Sequence, residues 1–225
     1  MQRRSLKELI HLEDPAWLLV QEWIDAAVNQ VEVLDGNRTW GEEVLLHLQV
    51  TTRSPLGALA FETGGLLIDH GWLRFLGSGH VRMRENLRSW NTDKDASDFH
   101  ALDGALVIAH DVVGGFFAIN GGAFPGSPGK VFYFAPDTLK WEPTDKSHSD
   151  LLLWALSGDV DMFYKNMRWS GWEDELSSLT GDQGLSIYPF PFARNGLSVA
   201  ECSRRPVPMD ELWGLYVDGI HEDDN

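Results

Sequence analysis

Cysteine is almost missing from this chain. Among 225 residues there is one, Cys202. That excludes a disulfide scaffold and fits a reducing compartment. Basic residues are scarce as well: 18 Lys and Arg stand against 34 Asp and Glu, a formal net charge of −16. A phosphate backbone is repelled by such a surface, so nucleic-acid binding by bulk charge is excluded. Long apolar runs are absent. The longest, 16–20 and 151–156, fall far short of the ~20 residues a membrane span needs. Two arginines open the N-terminal segment, but no apolar stretch of about 7–15 residues follows before Glu13 and Asp14, so it does not read as a signal peptide. The expectation is a cytoplasmic protein with no membrane partner. There is no internal repeat and no long linker.

What is present suffices for a core. Apolar residues make up 43% of the chain, which rules out disorder. A domain near this size buries roughly 70% of its unfolded surface without staples. We expect a single domain over 1–225, with 185–225 as a candidate C-terminal extension beginning near the glycines at 181–184.

The apolar pattern changes period along the chain. Ser5 and Glu8 have capping-box spacing for a short helix. After Asp14-Pro15, apolar residues at Trp17, Val20, Ile24, Ala27, Val28 and Val31 recur in helical steps, so the helix is predicted to run to the Asp35-Gly36 turn. A second capping box at Thr39 and Glu42 and a third helix start at Ser54-Pro55 follow. Beyond Gly64-Gly65 the signal becomes strand-like: 66–69 and 72–76 around the His70-Gly71 turn, then 105–109, 115–119, 130–134 and 140–142. Short connections make these strands antiparallel. Residues 82–90 read as helix, as do 151–156 (capped by Ser149-Asp150), 160–167, 172–179 and 208–217. Residues 185–188 and 197–202 read as late strands. The fold class is α+β, a mainly antiparallel β-sheet with helices packed on one side.

Catalytic signatures fail one by one. HExxH and CxxC are absent, no serine sits in a nucleophile elbow, and Gly77-x-Gly79 lacks the third glycine of a dinucleotide loop. The run from Asp93 begins like a calcium loop but carries Asp98 and Gly104 where Gly and Glu are required. No catalytic residue, metal site or cofactor is therefore assigned. Two acid–base pairs, Asp69-His70 and His110-Asp111, would support an uncharacterised hydrolase if the fold brought them together; as ordinary turn residues they would do nothing. Cys202 beside Arg204 and Arg205 reads as a reactive thiol or as a small hydrophobe in a strand. Ten tryptophans are the unusual feature. Arg168, Trp169 and Trp172 crowd one helix junction. They are the candidate binding residues, because Trp and Arg anchor interfaces, or else a seal between helices and sheet.

Four blocks occur in order: 57–65 ending in Gly64-Gly65; 111–120 with Gly114-Gly115-Phe-Phe; 131–142 with Val-Phe-Tyr-Phe and Trp141; and Arg168-Trp169-x-Gly171-Trp172. Together they resemble the bacterial family of domain of unknown function 2625. More distantly, the layout is similar to the SUKH superfamily, with a Gly-Gly after a helix and a Gly-Gly-aromatic strand start. The resemblance implies an α+β, SUKH-like fold and brings no catalytic residues. Many SUKH proteins are immunity proteins that neutralise toxins. The expected function is thus a non-catalytic protein-binding module of toxin-neutralising type, its protein partner basic to match the negative charge. A homodimer is the further alternative, the basic stretch 74–94 meeting acidic surface of a second copy.

Overall fold

The computed structural model describes residues 3–92 and 102–223, with backbone alone from 217 onward. The first helix, α1 (Leu6–Leu9), carries the Ser5–Glu8 capping box. Helix α2 (Trp17–Asp25) ends earlier than its apolar spacing suggested. The backbone N–H groups of Val28 and Asn29 donate to the Leu156 carbonyl, and the Asn29 amide donates to Ala155 and Gly158. This tether redirects the chain, and the β-branched pair Val31 and Val33 enters an edge strand, β1 (Val31–Asp35). Helix α3 (Arg38–Leu48) is capped by Asn37, two residues before the expected Thr39. Helix α4 (Pro55–Glu62) starts at Ser54 as expected and passes directly into β2 (Thr63–Ile68).

β2 turns into β3 (Leu73–Leu76) through Asp69 and His70, both at positive φ (53° and 56°), the geometry that matches strand twist in tight hairpins. Four more strands complete an antiparallel meander: β4 (Ala105–Asp111), β5 (Phe116–Asn120), β6 (Val131–Ala135) and β7 (Lys140–Pro143). The seven strands lie in sequence order. Helices α5 (His148–Ser157), α6 (Val160–Tyr164) and α7 (Trp172–Leu176) follow. The cap of α5 is a Ser147–Asp150 box. A hairpin of β8 (Gln183–Tyr188) and β9 (Ser203–Pro208) leads into α8 (Met209–Asp223). The strand expected at 197–202 is a short 3-10 turn, and the pairing falls on 203–208 instead.

The helix expected over 82–90 does not form. Polar side chains capture its backbone donors: Asp182 accepts from the N–H groups of Arg84 and Glu85, and Asn86 from those of Arg88 and Ser89. Only Ser89–Asn91 makes a 3-10 turn. Most of the expected polar loop, and most of the calcium-like run from Asp93, lies outside the described residues.

Strand alternation sorts the side chains. In register, Arg74, His110, Phe116, Phe134 and Trp141 share one face, and Phe75, Ala109, Phe117 and Tyr133 the other. α4 and α5 cover the second face, where Phe75 meets His148 edge-on. The C-terminal segment covers the first: Trp213 of α8 packs on Phe116 (4.7 Å), Phe134 and Trp141, and Trp90 packs on Phe116 (5.1 Å). So the antiparallel sheet carries its expected helical layer, and α8 adds a cover on the opposite face.

Gly64 and Gly77 permit close backbone approach beside the β2–β3 pair. A Cβ on Gly77 would sit 2.6 Å from backbone atoms of Thr63, Gly64 and Gly65. At Gly71 a Cβ would meet nothing within 4 Å, and only the positive φ of 79° is unfavourable. Gly77→Ala should therefore cost about 1–3 kcal/mol by overpacking and Gly71→Ala about 1 kcal/mol. Urea unfolding at unchanged m-value checks the order.

Candidate binding site

The junction around Arg168 is a stack of rings about one cation. The guanidinium lies 4.2 Å from the Trp172 ring centre, 4.7 Å from Trp72 and 5.5 Å from Tyr164. It pairs with Asp69 in the β2–β3 turn and with Asp161 on α6. Its side chain is 8% exposed. Trp169 and Trp172 are buried in the same cluster. Trp169 donates its indole N–H to Glu175 (2.8 Å) and lies under Arg204 at 4.3 Å. The three residues singled out in the sequence thus converge, and they converge inward. Their contacts fasten α6 and α7 to the sheet. A desolvated cation on aromatic faces is worth about 2 kcal/mol or more, and rings that contact it hold their orientation.

The histidine–aspartate pairs separate. Neighbouring residues on a strand point to opposite faces, so His110 and Asp111 cannot face one another. His110 is fully buried between Trp90 and Phe116, and neither ring nitrogen has a hydrogen-bond partner among the described residues. Burial, reinforced by nearby Arg74, holds its pKa well below the ordinary value. Asp111 accepts from the N–H groups of Val113 (3.1 Å) and Gly115 (2.8 Å) and from the Tyr133 hydroxyl (2.8 Å). Burial nonetheless raises its pKa, and burial also pushes the phenols of Tyr133 and Tyr164 upward. Asp69 is engaged by Arg168, and exposed His70 packs edge-on to Trp172 at 5.8 Å. Neither pair forms an acid–base dyad. Cys202 is buried and caps the 3-10 turn rather than lying in a strand; its thiol donates to the Ser198 carbonyl at 3.4 Å. Among the described residues no group of three His, Cys, Asp or Glu side chains gathers as a metal site, and no helix is long and apolar enough to cross a membrane.

The basic stretch is divided. Arg74 is buried, Arg82 pairs with Glu32 and Arg88 with Glu43.

A feature that the sequence reading missed opens on the helical face. Phe117 of β5, Tyr133 of β6, Trp154 of α5 and Phe163 of α6 surround a cleft of about 170 Å³. Phe117 lies 4.7 Å from Tyr133, and Phe163 lies 5.2 Å from Tyr133 and 5.1 Å from Trp154. Glu142 and Lys146 stand at its edge, the Lys146 ammonium 5.9 Å from the Trp154 ring. Phe163 remains 43% exposed and neighbouring Met162 57%. The ring of Tyr133 is fixed from below by Asp111, and Gly115 makes room for both: a Cβ there would lie 2.2 Å from the carboxylate and 2.3 Å from the hydroxyl. The sequence signal was available in part. Two consecutive apolar residues, Met162-Phe163, sit on a five-residue helix too short to bury both.

Two buried histidines set the acid response. Burial lowers the pKa of His148 to about 4 and holds that of His110 well below 6.5. The unfolded chain takes up these protons near pH 6.5, so stability is full above that value and is lost as pH falls toward 4. Asp111, its folded pKa raised, works in the opposite sense. We expect the unfolding midpoint to drop between pH 7 and pH 5, and the drop to shrink in His110→Phe, which removes the titrating imidazole. Thermal unfolding across pH in both proteins checks this; parallel profiles would refute it.

Comparison with known proteins places the chain. It is 42% identical over 212 residues to the uncharacterized protein YbfG of Escherichia coli (strain K12), covering 94% of this chain and 95% of that one. It is 38% identical over 186 residues to an uncharacterized protein of Haemophilus influenzae, covering 83% and 82%. Residues 6–212 match the model of a protein family of unknown function, DUF2625. That span includes the β8–β9 hairpin and the start of α8, and the chain belongs to the DUF2625 family.

Proposed function

We propose that this protein is a non-catalytic protein-binding module whose anchor is the aromatic cleft of Phe117, Tyr133, Trp154 and Phe163. The carrying observation is that four rings from four elements line one cleft, Phe117 and Tyr133 as its buried floor and Phe163 exposed at its rim beside exposed Met162. Aromatic pockets of this kind receive the anchoring side chain of a partner. The anchor that fits best is cationic. The chain carries −16, which steers a basic protein toward it, and aromatic faces attract a guanidinium or ammonium. Lys146 over Trp154 is an internal instance of that contact. Exposed Asp159, which caps α6, adds negative charge near Met162. The narrower form of the proposal is neutralisation of a basic toxin domain.

Arg168, Trp169 and Trp172 act in this scheme as positioning residues. Arg168 grips Tyr164, whose ring meets Phe163 edge-on at 4.7 Å, so the stack fixes the rim of the cleft.

The test begins with proteins captured at low salt, identified and then reconstituted as purified pairs. A true partner is basic and its affinity falls with added salt. Phe163→Ala should weaken it about tenfold or more. Lys146→Gln, which frees the Trp154 face, should strengthen it about two- to fivefold. Equal affinity of all three proteins for every captured partner would remove the cleft from the interface.

A further inference from the structure

A second cleft, about 190 Å³ in volume, lies on the other side of the Arg168 stack, between the β2–β3 turn and the loop after α7. Its floor contains Arg74, which is 2% exposed. Arg74 Nε donates to the Gly71 carbonyl at 2.8 Å, and Nη1 donates to the carbonyls of Gly181 (3.0 Å) and Gln183. Nη2 makes no hydrogen bond among the described residues, and no carboxylate of theirs pairs with the guanidinium. A buried charge with so incomplete a set of partners is costly. Burial lowers the pKa of Arg74 to about 10, opposed by Asp111 and Asp182.

The surroundings supply donors and little competing charge. The ring of His70 lines the cleft and is held by Trp172. Gln30 accepts the backbone N–H of His70 through Oε1 at 2.8 Å, which leaves its Nε2 as a donor. Glu32 is engaged by Arg82. Of the two carboxylates that line the cleft, Glu173 is exposed and makes no ion pair among the described residues.

We propose that this cleft binds a small oxyanion, a carboxylate or phosphate group, on Nη2 of Arg74 with His70 and Gln30 beside it. A guanidinium arm is well suited to such oxygens, because charge-assisted hydrogen bonds are about twice as strong as neutral ones. The site is independent of the aromatic cleft and of any protein partner.

The probes are inorganic phosphate and acetate, each titrated into the intact protein at constant ionic strength while thermal unfolding and binding heat are followed. Saturable stabilisation by one or both is expected, and the preferred probe tells a tetrahedral from a planar anion. Glu173→Gln, an exposed change, should tighten binding about three- to tenfold. Arg74→Lys should weaken it more than tenfold, because the donor fork is lost. Should Arg74→Lys fail to fold, His70→Asn takes its place; Asn tolerates the positive φ of that turn, and binding should weaken severalfold. Two results overturn the proposal: no saturation by either anion in the wild type and Glu173→Gln, or saturation indifferent to Glu173→Gln and to the Arg74 or His70 change.

Discussion

One cation organises the lower half of this molecule. Arg168 sits among Trp72, Tyr164 and Trp172 and reaches Asp69 and Asp161. Through those contacts the β2–β3 turn, α6 and α7 are held together. None of the three elements could do this alone. α6 and α7 have five residues each, too short to be stable in isolation, so their place depends on tertiary contacts. The rings provide the apolar surface and the cation provides the geometry.

Both candidate sites flank that stack. On one side Tyr164 meets Phe163, and Phe163 closes the aromatic cleft over Tyr133. On the other, Trp172 holds His70 beside the cleft that Arg74 floors. Asp111 performs a matching service from beneath the sheet surface, taking the Tyr133 hydroxyl and two backbone N–H groups. The buried polar groups of the chain thus act as braces. Gly115 answers that crowding, and Gly114 answers a separate one from α8, since a Cβ on Gly114 would lie 2.3 Å from the Tyr216 ring.

Much of the fold was legible from local pattern. β4, β5 and β6 are β-branched and aromatic runs with short connections, and their antiparallel order followed from loop length alone. The two largest failures involve long-range polar contact overriding a local period. Val28 and Val31 continue a helical spacing, but the Asn29 amide is bound by the α5 C-terminus and the chain becomes β1. Residues 82–90 have helical composition, but Asp182, nearly a hundred positions away, takes two of their N–H groups. The candidate sites were less legible. Arg168, Trp169 and Trp172 declared themselves by crowding, whereas their burial depended on where Asp69 and Glu175 lay. Alternation puts Phe117 and Tyr133 on one sheet face, yet only the packing of α5 and α6 shows which rings join them. Arg74 stood in a stretch of bases that read as surface, and its burial was invisible until strand register was known.

The most direct test of the central claim is the indole N–H resonance of Trp154, followed as a short arginine-containing peptide amide is titrated in, with the citrulline peptide as the neutral isostere. A saturable shift with arginine, absent with citrulline and lost in Phe163→Ala, is the predicted result. Identical responses to the two peptides, or none to either while Trp154 stays folded, would contradict a cleft that anchors a cationic side chain.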